Sequence, residues 1–226
     1  MNHRLVVISS LLCAFVWLGI NSAQEVSAHD SDDSVKGSGK RVSVSRGLPP
    51  FTAIDLRDAS DLDLHIGTDT SVIVEADGNL IERIVTEVEG DTLIVRSKGG
   101  YSMRKSPKLT VTLPRLTALT IHGSGDADLR GLDSESLNLS IHGSGDIEAE
   151  GRAAVLGVSI HGSGDAALAK LVARQVRASI HGSGDIDVEA RESLDAEVNG
   201  SGDIVYGGHP ARLSKRVHGS GEIAAR

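Results

Sequence analysis

From Leu137 onward the chain alternates apolar and polar residues with a period of two, broken at regular intervals by glycine. Leu137, Leu139 and Ile141 point one way; Asn138, Ser140 and His142 point the other. The pattern recurs at Leu156, Val158 and Ile160, at Val176, Ala178 and Ile180, and at Leu194, Ala196 and Val198. Beyond each interruption it resumes, with Ile147 and Ala149, Ala166 and Leu168, Ile186 and Val188, and Ile204 and Tyr206 on the apolar side. A period of two marks half-buried strands. The interruption is Gly-Ser-Gly, which permits a sharp bend with positive φ.

The interruptions form a tandem repeat. His122-Gly-Ser-Gly-Asp126 returns at His142–Asp146, His161–Asp165, His181–Asp185, Asn199–Asp203 and His218–Glu222, with first residues 20, 19, 20, 18 and 19 apart. A fixed period of this length signals stacked units that cannot bury their apolar faces alone. Nineteen extended residues span at most ~63 Å at ~3.3 Å each, enough to walk once round a small three-sided prism. The prediction is an all-β, single-stranded parallel β-helix with coils of 18–20 residues. Each motif position then lies over its predecessor at ~4.8 Å. The drifting period argues against the strict hexapeptide rule of left-handed coils, and parallel crossovers favour the right-handed form. Ile, Val, Leu and Ala fill the apolar positions almost without aromatics, as a narrow interior requires.

The segment upstream reads as a degenerate version of the same coil. Asp58-Ala-Ser-Asp61 stands where later coils carry His-Gly-Ser-Gly-Asp. Residues 72–74, 93–95 and 109–113 alternate as strands, Asn79–Glu87 reads as one helical turn or an irregular coil, and Gly99–Pro107 as a surface excursion. One domain over 42–226 is the economical division. Residues 29–41 (HDSDDSVKGSGKR) read as a flexible polar linker. Residues 1–28 carry the basic, apolar and small-residue regions of a secretory signal, with Val26 and Ala28 as the better cleavage pair and Ala23 as the alternative. The apolar run of 16 residues, Leu5–Ile20, is short of the ~20 that a spanning helix needs, so the mature chain is expected to have no transmembrane anchor. Cys13, the one cysteine, lies in that run, so the mature domain is expected to hold without disulfides. The expected location is the periplasm or cell surface of a bacterium.

Charge and composition narrow the function. With 31 acidic and 23 basic residues the net charge is −8, against a nucleic-acid partner. Only five aromatics occur, two of them in the signal, so stacking platforms for sugars or single strands are not expected.

Phe51-Thr-Ala-Ile54, Ser71-Val-Ile-Val-Glu-Ala76, Asn79-Leu80, Thr92-Leu-Ile-Val95 and Leu109-Thr-Val-Thr-Leu-Pro114, followed by repeated Gly-Ser-Gly-Asp, resemble the head GIN domain family (DUF2807), described as putative auto-transporter adhesin heads. The resemblance covers residues 51–226. It implies an exported parallel β-helix of the cell envelope and supplies no catalytic residues. With about 200 mature residues taken up by the helix and linker, no translocation barrel is expected within this sequence.

Both flanks of the corner face outward by alternation. The sharpest chemical reading is a cation-binding stripe of His122, His142, His161 and His181 beside Asp126, Asp146, Asp165 and Asp185, taking calcium or zinc. The plainer reading is turn chemistry, with each Asp accepting hydrogen bonds from turn N–H groups. Asn199 interrupts the His column without breaking the repeat, which favours the ladder, and no other cofactor is expected. His142, Ser144 and Asp146 are triad residue types, but several equivalent copies do not make one preorganised site, and no Gly-x-Ser-x-Gly elbow occurs. The expectation is therefore a non-catalytic envelope protein with a structural, adhesion or interaction role. Its partner is an envelope polymer, another protein or itself. Divalent-cation binding is the first alternative and a polysaccharide-acting β-helix enzyme the second. Asp61, Asp63 and His65 read as a solvated strand face.

Overall fold

The computed structural model describes residues 34–226. The signal segment expected over 1–28 and the first part of the linker lie outside the described residues. The strands are β1 (Val35–Lys36), β2 (Arg41–Arg46), β3 (Ala53–Leu56), β4 (Asp61–Ile66), β5 (Ser71–Asp77), β6 (Ile84–Glu89), β7 (Thr92–Ser97), β8 (Tyr101–Ser102) and β9 (Lys108–Leu113). The repeats supply β10 (Ala118–Gly123), β11 (Ala127–Gly143), β12 (Ile147–Gly162), β13 (Ala166–Gly182), β14 (Ile186–Gly200), β15 (Ile204–Gly207), β16 (Arg212–Gly219) and β17 (Ile223–Ala225).

The repeats form the expected parallel β-solenoid. His122, His142 and His161 pair in register, as do His161 with His181, His181 with Asn199, and Asn199 with His218. β11 to β14 run 15–17 residues because the ladder of backbone hydrogen bonds continues around bends, with register shifts such as that between Leu129 and Leu132. Alternation places Leu137, Leu139, Ile141 and their counterparts through Val198 inside, all buried, whereas on the last coil the matching Leu213 and Val217 of β16 are exposed. Volumes interleave along the stack: Ala127, Ile147, Ala166 and Ile186 occupy one column, so large and small side chains alternate over successive coils.

The upstream correspondence is also present. Leu56 pairs with Ile121 and Leu62 with Ala127, which sets Asp58-Ala-Ser-Asp61 directly beneath the first Gly-Ser-Gly-Asp corner. The surrounding strands depart from a plain coil. β2 and β9 flank β5 antiparallel, and β6 pairs antiparallel with β7 across a two-residue turn at Gly90-Asp91, where Gly90 has φ +64°. The segment read as a helical turn or irregular coil divides into a 3₁₀ turn at Ile81–Arg83 and the start of β6. Ile81 and Ile84 from this segment are buried in the core, with Leu80 buried beside them.

The segment read as a flexible linker is held from Val35 on. β1 pairs with β8 inside the Gly99–Pro107 excursion, Ser38 N–H donates to Asn79 Oδ1 at 2.9 Å, and Gly39 N–H donates to Asp77 Oδ2 at 2.9 Å. Its backbone is thus specifically paired while most of its side chains stay exposed. Among the described residues no helix is long and apolar enough to cross a membrane.

Candidate functional site

The corner is built from two glycines with different duties. The first, at 123, 143, 162, 182, 200 and 219, has φ between +130° and +150°. From Gly143 upward, a Cβ there would also overlap the carbonyl oxygen of the corner glycine one coil below. The second, at positions such as Gly145 and Gly164, needs no unusual φ, but its Cβ would meet the carbonyl of the equivalent glycine below. Bare backbone therefore stacks on bare backbone. Serine N–H groups carry the ladder round the bend: Ser163 donates to Gly143 and Ser183 to Gly162, each at 2.9 Å.

Outside the corner the acidic column forms a continuous side-chain ladder. The backbone N–H of each acidic residue donates to Oδ1 of the one below, running Asp126 to Asp61 at 3.3 Å, Asp146 to Asp126 at 3.1 Å, Asp165 to Asp146 at 2.8 Å and Asp185 to Asp165 at 2.8 Å. Asp203 and Glu222 continue it at 2.8 and 2.7 Å. A hydrogen bond to a charged acceptor contributes about 1.5–3 kcal/mol, whereas unit charges one coil apart repel by about 0.9 kcal/mol in water. The ladder therefore wins over the repulsion. Asp61 is its lowest rung, a structural role that the solvated-face reading did not give it; Asp63 is paired with His65 at 3.0 Å and Lys108 at 3.1 Å.

On the other flank His122, His142, His161 and His181 stack with ring centroids 5.0, 4.8 and 4.9 Å apart and planes within 12° of parallel. Such a stack turns ring faces toward each other and ring edges toward solvent. At its lower end His122 Nε2 lies 3.4 Å from Asp55 Oδ1. At its upper end Asn199 Nδ2 lies 3.3 Å from His181 Nε2 and donates to Glu197 Oε1 at 2.9 Å. Partial burial, then the charges of His161 and His122, hold the His142 imidazole below its ordinary range, against the opposite pull of Asp55. The eight residues read as cation ligands thus fall into two separate columns. Among the described residues no group of three or more His, Cys, Asp or Glu is arranged to hold one metal ion.

A third column went unread in the sequence. Thr120, Ser140, Ser159 and Ser179 sit two residues before the histidines, half-buried and in register, and the hydroxyls of Ser140 and Ser159 are 2.9 Å apart. Its signal is the recurrent Thr/Ser-Ile-His that precedes the first four Gly-Ser-Gly corners.

Solved structures share this architecture. A putative adhesin from Bacteroides fragilis NCTC 9343 is 27% identical with a TM-score of 0.71, over 85% of this chain and all of that one. A putative lipid binding protein from Parabacteroides distasonis ATCC 8503 is 25% identical with a TM-score of 0.50, over 85% of this chain and 99% of its own. A putative adhesin from the same organism is 23% identical with a TM-score of 0.52, over 86% and 100%, and speaks for the fold. No curated protein matches the chain. The family model described as "Putative auto-transporter adhesin, head GIN domain" (DUF2807) matches residues 50–210, and with the solenoid and its corner repeat in place, the chain belongs to that family.

Proposed function

We propose that this protein is an exported cell-envelope module with an adhesion or interaction role and no catalytic chemistry. The observation that carries this reading is the equivalence of the corners. Successive coils present the same outward groups at the same place, which builds a surface that gains contacts by repetition, whereas catalysis needs one preorganised constellation. The adhesin description of the family supports the same direction. The test is retention of whole bacterial cells or isolated envelope fragments on the immobilised protein. Saturable retention above that on an unrelated β-protein is expected; equal retention overturns the reading. Release of cleaved products from envelope glycans would favour the polysaccharide-acting enzyme instead.

Divalent-cation binding is the second reading. Its support is that the ladder uses Oδ1 of each Asp, leaving the second carboxylate oxygen of an exposed column outside it. A rise in melting temperature with about 1 mM calcium, the range of extracellular calcium modules, or with micromolar zinc is its expected sign. An unchanged melting curve removes it.

A further inference from the structure

We propose that the outward face formed by the pre-corner runs of β11, β12 and β13 docks a linear acidic polysaccharide whose sugars carry carboxylates. This rests on the adhesion reading and names the partner class for one face of the solenoid.

The first observation is a local absence of negative charge. The chain carries 31 acidic residues and a net charge of −8, and every coil has an acidic residue on the far side of the corner. Yet the twelve outward positions from Ser136 to His142, Val155 to His161 and Gln175 to His181 contain none. The same columns turn acidic on β14, at Asp195 and Glu197, where Arg216 holds both, at 2.9 and 3.2 Å. The patch ends there, and no carboxylate lies on its twelve positions.

The second observation is the donor set. Ser140, Ser159 and Ser179 line one column, with imidazole edges beside them. Asn138 and Arg177 flank Gly157 in the next column. The Arg177 guanidinium approaches Asp195 only to 3.8 Å and its side chain is 82% exposed, so it is available to a carboxylate. These groups donate hydrogen bonds that a carboxylate and ring hydroxyls accept.

The third observation is shape. Gly157 has no side chain between Asn138 and Arg177, and the gap opens a groove of about 480 Å³ that follows the stack from Asn138 past Arg177 to its upper end on β14 and β16, where Asp195, the carboxylate held by Arg216, lines it beside Arg212 and Ser214. Val155, 45% exposed, adds an apolar wall, and a recess of about 160 Å³ reaches the three serines. Equivalent groups recur every 4.8–4.9 Å along this direction, a spacing comparable with the rise of one sugar in an extended pyranose chain. Neutral sugars are commonly held on aromatic faces. Here the rings present edges, so charge and hydrogen bonding must do the selecting.

The test is calorimetric titration of the full chain with oligogalacturonate and with dextran of matched length, at neutral pH where uronates are ionised. Oligogalacturonate is expected to bind and dextran not to. Ser159→Glu and Arg177→Glu are each expected to weaken binding by about tenfold or more. Ala167→Glu, exposed on the face beyond the corner, is the control expected to leave it unchanged. Circular dichroism of each variant reports folding. Equal binding of dextran, or unchanged binding by two folded glutamate variants, overturns the proposal. Binding of neither polymer also overturns it, while cell retention decides the adhesion reading separately.

Discussion

A methyl group at Gly162 would overlap the Gly143 carbonyl on a backbone with φ +145°, and neither side of that contact is a movable side chain. Gly162→Ala is therefore expected to cost about 2–4 kcal/mol of stability by denaturant unfolding. Gly157→Ala, whose Cβ would meet only the Asn138 side-chain oxygen at 2.6 Å, is expected to cost well under half of that. Asp58 is a different case. It is buried, Ser60 N–H donates to its Oδ1 at 3.0 Å, and its Oδ2 has no partner. Burial raises its carboxyl pKa, against the Ser60 hydrogen bonds that lower it. A carboxyl raised in the folded state favours folding below its unfolded value of about 3.9, and that contribution is lost as pH climbs through the folded value. Asp58→Asn is accordingly expected to match or exceed the parent in melting temperature at neutral pH and to lose that advantage in acid. His142 has the opposite sign of cost: its pKa is lowered, so the fold is expected to lose stability as pH falls from about 6.5 towards the folded value. Resolved imidazole titration by NMR checks this, with His142 the residue shifted down.

At the scale of elements, the corner and the strands beside it are legible because their signal is periodic. The sequence positions of the His and Asp columns, and the match of Asp58-Ala-Ser-Asp61 to the first corner, follow from counting. What counting misses is direction. β2 and β5 carry the same alternation as the parallel strands, and an alternating strand does not state whether its neighbour runs with it or against it; β6, Ile-Val-Thr-Glu-Val-Glu, does not alternate cleanly and is not legible as a strand. That is set by connections: the two-residue Gly90-Asp91 turn is too short for a parallel return and forces the β6–β7 hairpin. Ring orientation in the His stack and the bond from each Asp Oδ1 to the next coil are likewise three-dimensional facts that spacing alone does not contain. The ladder itself is testable. Asp146→Ala removes the acceptor for Asp165 N–H and is expected to cost about 1 kcal/mol, while Asp146→Asn keeps an acceptor, removes a charge and is expected to be near neutral in denaturant unfolding.

Over the whole molecule, one stacked column of carboxylates on a chain of net charge −8 makes stability depend on ionic strength. Raising salt from about 0.01 M to about 1 M shortens the Debye length from about 30 Å to about 3 Å. The melting temperature is expected to rise by several degrees, and by less in a variant with two adjacent ladder positions changed to Asn. In the repeat region each coil rests on the coils immediately above and below it, through identical glycine corners. An in-frame duplication of one repeat would consequently slot between two existing coils without asking anything new of either end. The length of such a rod is then free to drift by whole increments of about 4.8 Å through unequal recombination, so that reach becomes adjustable while the cross-section stays constant.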